Sequence, residues 1–546
     1  AADKSGNGLH LFDVGNNRIS VLESDKAKYR DLNWTKEGDA FALLKVIDSD
    51  KHTDSLQHVV AYKNLDATPP IRVHVDPDQQ AGIPESMTIS PHRRPTWTEN
   101  RDGLLFGIYE PKLKDQTKQT TAESGGDSKK KKTPSSTPDD EDEEDADLVI
   151  WHWQDDRLQS RQQVQATQDK QFNYLCLYRI QENLTFRLAD DDMRSVTALK
   201  PHRYAIAFDA TKYELNGNLN GRRYRDVYRI DLQTGKKKLA RKKVRWYMGG
   251  SPTGDKFLYY DKAHFHVYNL VTGDSTNITA DAPVSFVNIE DDHNVKNPPT
   301  RSLGWTKDGA YVLLNDNWDI WLVPVAGGKP VNLTVRGRKD GLRYSSRYRL
   351  DPDEEGIDLS QPMYVRVYGE WTKKSGIARI TNGRPGAEIL LWQDADVGNL
   401  GKVKNQDVYY YTQESQTTSR ETFICGANLK DPHRATETNV QQRDFLWSDG
   451  SRLVDYKSEH GDRLQASLFL PANYVEGKSY PTIVYIYEKL SQRLHRYDIP
   501  RVGGFSMSLY TSRGYAVLMP DIVYRINRPG QSAVECVLPA LDAAIQ

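Results

Sequence analysis

One short unit recurs along most of the chain, and it limits the possible folds more than any other feature. Trp34-Thr-Lys-Glu-Gly38 precedes the apolar run Ala40-Phe-Ala-Leu-Leu44, and Trp305-Thr-Lys-Asp-Gly309 precedes Ala310-Tyr-Val-Leu-Leu314. Ser251-Pro-Thr-Gly254 stands before Lys256-Phe-Leu-Tyr-Tyr260, and Trp97-Thr-Glu-Asn-Arg-Asp-Gly103 before Leu104-Leu-Phe-Gly-Ile108. Each turn offers a Gly able to take a positive φ, followed by a run that reads as a half-buried strand. A second element follows the first. Trp318 to Val325, Gly327-Gly328 and Val331 to Thr334 read as strand, turn, strand; Phe265 to Leu270, Thr272-Gly273 and Thr276 to Thr279 match. Asp226 to Asp231 with Thr234-Gly235 matches again. The combined unit repeats at an irregular period of roughly 40–65 residues, the sequence form of a β-propeller blade, whose small sheet buries its faces against its neighbours. About seven blades fit between Leu9 and Gln441. The first hairpin, Leu9 to Asp13 and Arg18 to Leu22 around Gly15-Asn-Asn17, is expected to complete the sheet of the last blade.

Composition agrees with a chain built from strands. Only 37% of residues are hydrophobic, yet there are 30 Tyr and 11 Trp, so cores must come from aromatic and β-branched strands with polar outer faces. At 546 residues, two or more domains are expected. Lys plus Arg (74) and Asp plus Glu (75) balance, which gives no reason to expect nucleic acid or an anionic membrane as partner. No apolar run approaches the roughly 20 residues of a membrane helix. The opening Ala1-Ala-Asp-Lys-Ser-Gly6 has no apolar signal-peptide core. Cys176, Cys425 and Cys536 are far apart without metal-ligand spacing and read as inert thiols.

One segment fits no blade. From about residue 114 to 146 the chain runs through Lys129-Lys-Lys-Lys132, Pro134-Ser-Ser-Thr-Pro138 and an acidic stretch from Asp139 to Asp145, almost without apolar residues. Such a segment cannot offset its ordering entropy, and a disordered insertion is expected. A domain boundary is expected near Asp444, giving a propeller over 1–443 and a second domain over 444–546.

The second domain opens with a hairpin over 451–471 and then turns to strands alternating with helices. Tyr480-Pro-Thr-Ile-Val-Tyr-Ile-Tyr487 and Gly514-Tyr-Ala-Val-Leu-Met-Pro520 read as strands apolar on both faces, as in a buried parallel sheet. Ser532 to Ile545 has helical apolar spacing, with Pro539 expected to kink or break it. Two buried strands alone would leave an open edge, so a longer polypeptide is expected. These runs, with Ser512-Arg-Gly-Tyr-Ala-Val-Leu-Met-Pro-Asp521 and the hairpin over 451–471, resemble the opening of the catalytic domain of prolyl oligopeptidase family serine peptidases, the dipeptidyl-peptidase-IV-like and acylaminoacyl-peptidase-like members among them. The resemblance implies a mainly β chain: an N-terminal propeller over an incomplete α/β-hydrolase domain. It also implies peptide substrates, no cofactor and a bacterial, often periplasmic or otherwise exported, soluble protein, with a homodimer among the expected states.

Within that resemblance Tyr487, at the end of the first core strand, matches the Tyr whose hydroxyl donates into the oxyanion hole. The Gly-Gly-Pro-like turn that follows it in the family is replaced here by Glu488-Lys-Leu490. The triad Ser, Asp and His would all lie beyond Gln546. The nearest string to G-x-S-x-G is Gly504-Phe-Ser-Met-Ser508, which lacks the second Gly and precedes a helix-like stretch and then a strand, so Ser506 reads as an ordinary serine. His264 and His266 share a strand face near Asp261, but no third ligand is close in sequence, and no metal is expected. Glu290-Asp-Asp292 and Asp351-Pro-Asp-Glu-Glu355 read as solvated acidic turns. Four N-x-T sequons begin at Asn33, Asn183, Asn277 and Asn332; two of them end blade strands, where turn chemistry suffices. Two functions remain open: a peptidase gated by its propeller, and a propeller used as a binding platform beside an inactive or incomplete hydrolase-like domain.

Overall fold

A computed structural model describes residues 8–114 and 150–545. The expected insertion lies, apart from its first residue, outside these described residues.

The chain is mainly β, and its strands pair with their sequence neighbours. The first sheet consists of Lys28–Trp34, Ala40–Ile47, Leu56–Lys63 and Ile71–Val75 in chain order. Among the described residues six more sheets of this kind follow before residue 435, beginning at Thr88, Ser195, Trp246, Ser302, Leu342 and Asp396. Each has four strands, except that the sheet beginning at Thr88 has five, because Thr96–Trp97 also pairs with Gly103–Tyr109. The hairpin of Gly8–Asp13 and Arg18–Ser24 stays a two-stranded sheet of its own. It does not complete the last sheet as expected. Asp396–Lys402, Tyr409–Glu414, Glu421–Cys425 and His433–Arg434 supply all four strands there, each paired with its sequence neighbour.

The recurring turn has one physical basis. In each copy a hydroxyl closes the hairpin. Thr35 Oγ1 donates to Asp39 Oδ1 at 2.7 Å and accepts from Ala40 N–H at 3.1 Å. Thr98 donates to Asp102 at 2.6 Å and accepts from Gly103 N–H at 3.0 Å; Thr306 donates to Asp308 at 2.5 Å and accepts from Tyr311 N–H at 3.0 Å. Ser251 does the same with Asp255 and Lys256. Gly38, Gly254 and Gly309 take the left-handed backbone at φ 74°, 67° and 65°. In the longer turn after Trp97, Arg101 takes that role at φ 53°. The sequons at Asn277 and Asn332 are turn chemistry too. Asn277 Oδ1 accepts from Thr279 N–H at 3.1 Å, and Asn332 Oδ1 from Thr334 N–H at 3.0 Å.

The chain divides into two compact units. One holds residues 1–259 and 268–275; the other holds 260–267 and 276–546. In the first unit, Ala40, Leu44, Val59 and Val75 of one sheet pack against Ile89, Leu104, Phe106 and Cys176 of the next. In the second, Leu313 and Ile320 pack against Val365, Val367 and Ala378. Each large apolar side chain so buried contributes roughly 1.5–3 kcal/mol. Two helices of the first unit, Gln159–Lys170 and Thr211–Asn220, were not legible as such; neither has a strong apolar face, and the second ends on Gly221 at φ 70°.

The second unit ends in a mixed four-stranded sheet, ordered Ser451–Lys457, Arg463–Phe469, Ala516–Pro520, Thr482–Val484. The first two strands form the expected hairpin, and Arg463–Phe469 runs antiparallel to Ala516–Pro520. Thr482–Val484 runs parallel to Ala516–Pro520. Ala516–Pro520 is buried throughout, whereas Thr482–Val484 is not. The expectation that the 480–487 run is buried on both faces fails because, among the described residues, it has a neighbour on one side only; Ile486 and Tyr487 stand in solvent. Nor does Pro539 break the last helix, which runs from Pro529 to Ile545. The carbonyl that a proline at this position leaves free, that of Glu535, instead accepts from the backbone N–H of Glu459 at 3.0 Å.

Candidate functional site

The Tyr487 region of the second unit is assembled by its backbone. Parallel pairing of Ile483 with Val517 and Val484 with Leu518 continues as Tyr485 N–H donates to Leu518 O at 2.9 Å. Beyond Val484 the chain leaves the sheet, and five hydrogen bonds hold it. Tyr524 Oη donates to the Tyr487 carbonyl, and Ile522 N–H to the Glu488 carbonyl at 3.1 Å. Asp521 Oδ1 accepts from Leu490 N–H at 2.7 Å and Ser491 N–H at 2.8 Å, while its Oδ2 accepts from Ser491 Oγ at 2.6 Å. Asp521 is itself anchored, since Tyr456 Oη donates to its carbonyl.

The Glu488-Lys-Leu490 sequence therefore does not leave a loose loop. A buried carboxylate, 6% exposed, does the holding by charge-assisted hydrogen bonds. The Tyr487 backbone is fixed and its side chain is 63% exposed, so the phenol is available to a ligand.

The loop Glu290-Asp-Asp292, taken from sequence as a solvated turn, lies beside this segment. Ligand-capable atoms of Asp292, His293 and Glu488 lie within 4.8 Å of one another. Burial pushes the Tyr524 phenol up, and the charges of Asp292 and Glu488 push in the same direction. Arg343 ties the acidic loop down. Its guanidinium donates to Glu370 Oε2 at 2.5 Å, Glu290 Oε1 at 3.0 Å and the Asn317 carbonyl at 3.3 Å, and lies 4.1 Å from the centre of the Trp318 ring. Burial opposes the Arg343 charge, but Glu370 and Glu290 outweigh it and hold its pKa above the ordinary value. Burial likewise opposes charge on Glu370, and Arg343 keeps that carboxyl below its usual range. Lys373, whose Nζ donates to the Glu370 carbonyl at 2.6 Å, is pulled down by burial.

The segment combines a solvent-facing phenol on a fixed backbone with the carboxylates of Glu488, next in sequence, and Asp292 close to it. Chemically it can donate one hydrogen bond to a developing negative charge and offer a negative wall to a cation. Sequence reasoning singled out Tyr487 and Glu290 to Asp292 separately and missed that Asp292 comes close to Glu488, the residue after Tyr487. It also missed Asp521, whose role was visible only as an Asp after a strand-ending Pro.

The other sequence candidates lie elsewhere. Ser506 is 1% exposed, precedes the short helix Met507–Ser512, and has its Oγ 3.2 Å from that of Ser508. His264 Nδ1 lies 3.2 Å from Thr279 Oγ1. Among the described residues no helix is long and apolar enough to cross a membrane.

No family model and no curated protein matches the sequence. Solved structures do resemble the fold. A Porphyromonas gingivalis dipeptidyl peptidase 4 aligns over 95% of this chain and 71% of its own, with 11% identity and a TM-score of 0.49. A prolyl endopeptidase structure aligns over 95% of this chain and 65% of its own, at 10% identity and a TM-score of 0.43. The Pyrococcus horikoshii acylaminoacyl peptidase aligns over 95% and 71%, at 10% identity and a TM-score of 0.39.

Proposed function

We propose that residues 1–443 form a β-propeller, with the successive small sheets as its blades, and that residues 444–546 begin the α/β-hydrolase domain of a serine peptidase of the prolyl oligopeptidase kind. The observation that carries the reading is the placement of Tyr487: an exposed phenol on a pinned backbone, just beyond the strand Thr482–Val484 that runs parallel to Ala516–Pro520. In this reading the Tyr487 hydroxyl donates to the oxyanion of a tetrahedral intermediate, and a serine outside residues 1–546 attacks the peptide carbonyl with its His and Asp partners. The propeller limits entry to short or unfolded peptides. The carboxylates of Asp292 and Glu488 favour a peptide that presents a positive charge near the scissile bond.

The test is the intact mass of the purified natural protein, followed by labelling with a fluorophosphonate serine probe. A mass well above 62.3 kDa with a labelled serine outside residues 1–546 is expected. A mass equal to that of this chain with no labelled serine overturns the reading. It would favour the propeller as a binding surface, the function that the Glu488-Lys-Leu490 departure also suits.

A further inference from the structure

Three turns of the first unit, each following the first strand of its hairpin, close around one cavity of about 430 Å³. They are the two Trp-Thr turns at Trp34 and Trp97 and the Lys200-Pro-His202 turn after Ser195–Ala198. The recurring turn thus does more than reverse the chain: in this unit it brings charged and aromatic side chains together.

The cavity wall carries Arg93, Arg94, Arg101 and Lys200 together with the acids Glu37 and Glu99. Both acids are already engaged. Arg101 holds Glu37 at 2.5 Å and also Asp39 at 2.9 Å, and Lys200 lies 3.4 Å from Glu99. The backbone N–H of Glu99 donates to His202 Nδ1 at 2.9 Å, which places the neutral ring's proton on Nε2.

Arg93 is left over. Its Nε donates to Asn173 Oδ1 at 2.6 Å, a neutral partner, and among the described residues no carboxylate pairs with it. The pair is seated over Gly107, where an added Cβ would lie 2.2 Å from Asn173 Oδ1 and 3.1 Å from Arg93 Cβ. The guanidinium is therefore held in place while half-buried. A desolvated cation without a counter-charge is costly, and an anion from solution would relieve that cost. Trp34, which lines the same cavity, is 46% exposed and offers it an aromatic side chain.

We propose that this cavity binds a carboxylate carried on an apolar or aromatic body, with Arg93 as its charge partner and Trp34 as the face on which the body rests. With Glu37 and Glu99 already paired, Arg93 is the one half-buried cation here without a carboxylate partner among the described residues, and a single charge matches a monoanionic carboxylate better than a dianionic phosphate. The proposal does not depend on the peptidase reading.

Calorimetric titration of the full chain with N-acetyl-L-phenylalanine, its amide and inorganic phosphate tests it. The acid is expected to bind, and the amide to bind at least ~10-fold more weakly, because it loses the charge-assisted hydrogen bonds. Arg93→Gln, in the folded variant, should weaken the acid by ~10-fold or more. The exposed Arg94→Ala should weaken it a few-fold, and it decides together with Trp34→Ala where Arg93→Gln does not fold. Equal binding of acid and amide, no binding of the acid at millimolar concentration, or variants that bind like the parent would overturn the proposal. Phosphate binding that is tighter than the acid and lost in Arg93→Gln would overturn the carboxylate in favour of a phosphoryl ligand.

Discussion

Asp521 Oδ1 accepts the backbone N–H of Leu490 at 2.7 Å across 31 residues of sequence, and this bond holds the segment that follows Tyr487. The same carboxylate takes Ser491 N–H and Ser491 Oγ. Removing it leaves three donors in a buried setting. Asp521→Ala should cost about 2–4 kcal/mol, seen as a lowered melting temperature, and Asp521→Asn less, since one oxygen remains. A variant as stable as the parent would show that this loop is held by something else.

Tyr487→Phe separates chemistry from folding. The phenol is exposed, so stability should change by no more than about 0.5 kcal/mol. On the proposed peptidase reading, peptide hydrolysis by the purified natural protein should fall by about 10²–10³-fold in kcat with little change in KM, as for loss of an oxyanion-hole donor. Unchanged kcat would remove Tyr487 from the mechanism.

Glu421 links stability to acid pH. Burial alone would raise its pKa, but hydrogen bonds from Thr436, Thr438 and Arg434 outweigh burial and lower it to about 2. With the folded value below the unfolded one, its stabilisation is complete above the ordinary glutamate range and is lost as pH falls from there toward about 2. Melting temperatures measured across that range should fall less steeply for Glu421→Gln than for the parent, from a lower starting value at neutral pH.

His58 and His74 act nearer neutrality. His58 Nδ1 lies 3.0 Å from His74 Nε2, and burial lowers the pKa of both; the charge of His58 lowers His74 further. Asp76, 3.6 Å from His58 Nε2, opposes the shift without cancelling it. The folded state thus favours neutral rings. Stability is full above the ordinary histidine pKa of about 6.5 and declines as pH falls below it toward the lowered folded values. The double variant His58→Gln/His74→Gln should flatten that decline, which thermal melts between pH 7.5 and about pH 5 would record.

Much of the fold could be read in one dimension because its strands pair with their sequence neighbours. A repeated Trp-Thr-x-x-Gly turn and a strand-turn-strand partner suffice when each sheet is a local meander, as in Lys28–Trp34 to Ile71–Val75. The helices Gln159–Lys170 and Thr211–Asn220 escaped because helices without an apolar stripe carry no periodic signal. The run from Tyr480 to Tyr487 misled because a completely apolar segment looks alike at the centre and at the edge of a sheet. Neighbours decide its burial, and neighbours are not a property of the segment.

The sequence by itself determined the strand-rich class, the turn positions and their hydroxyl-Asp-Gly chemistry, since these depend on residues within about ten positions of one another. It also singled out Tyr487, through the run that precedes it. Only the tertiary structure decided what surrounds that residue: Asp521 reaching back to Leu490, and the loop from Glu290 to Asp292 beside Glu488. It alone placed Arg93 in a cavity with two acids already engaged. Local turns follow from short-range sterics and hydrogen bonding. Charge balance, burial and access belong to residues far apart in the chain, and only packing brings these together.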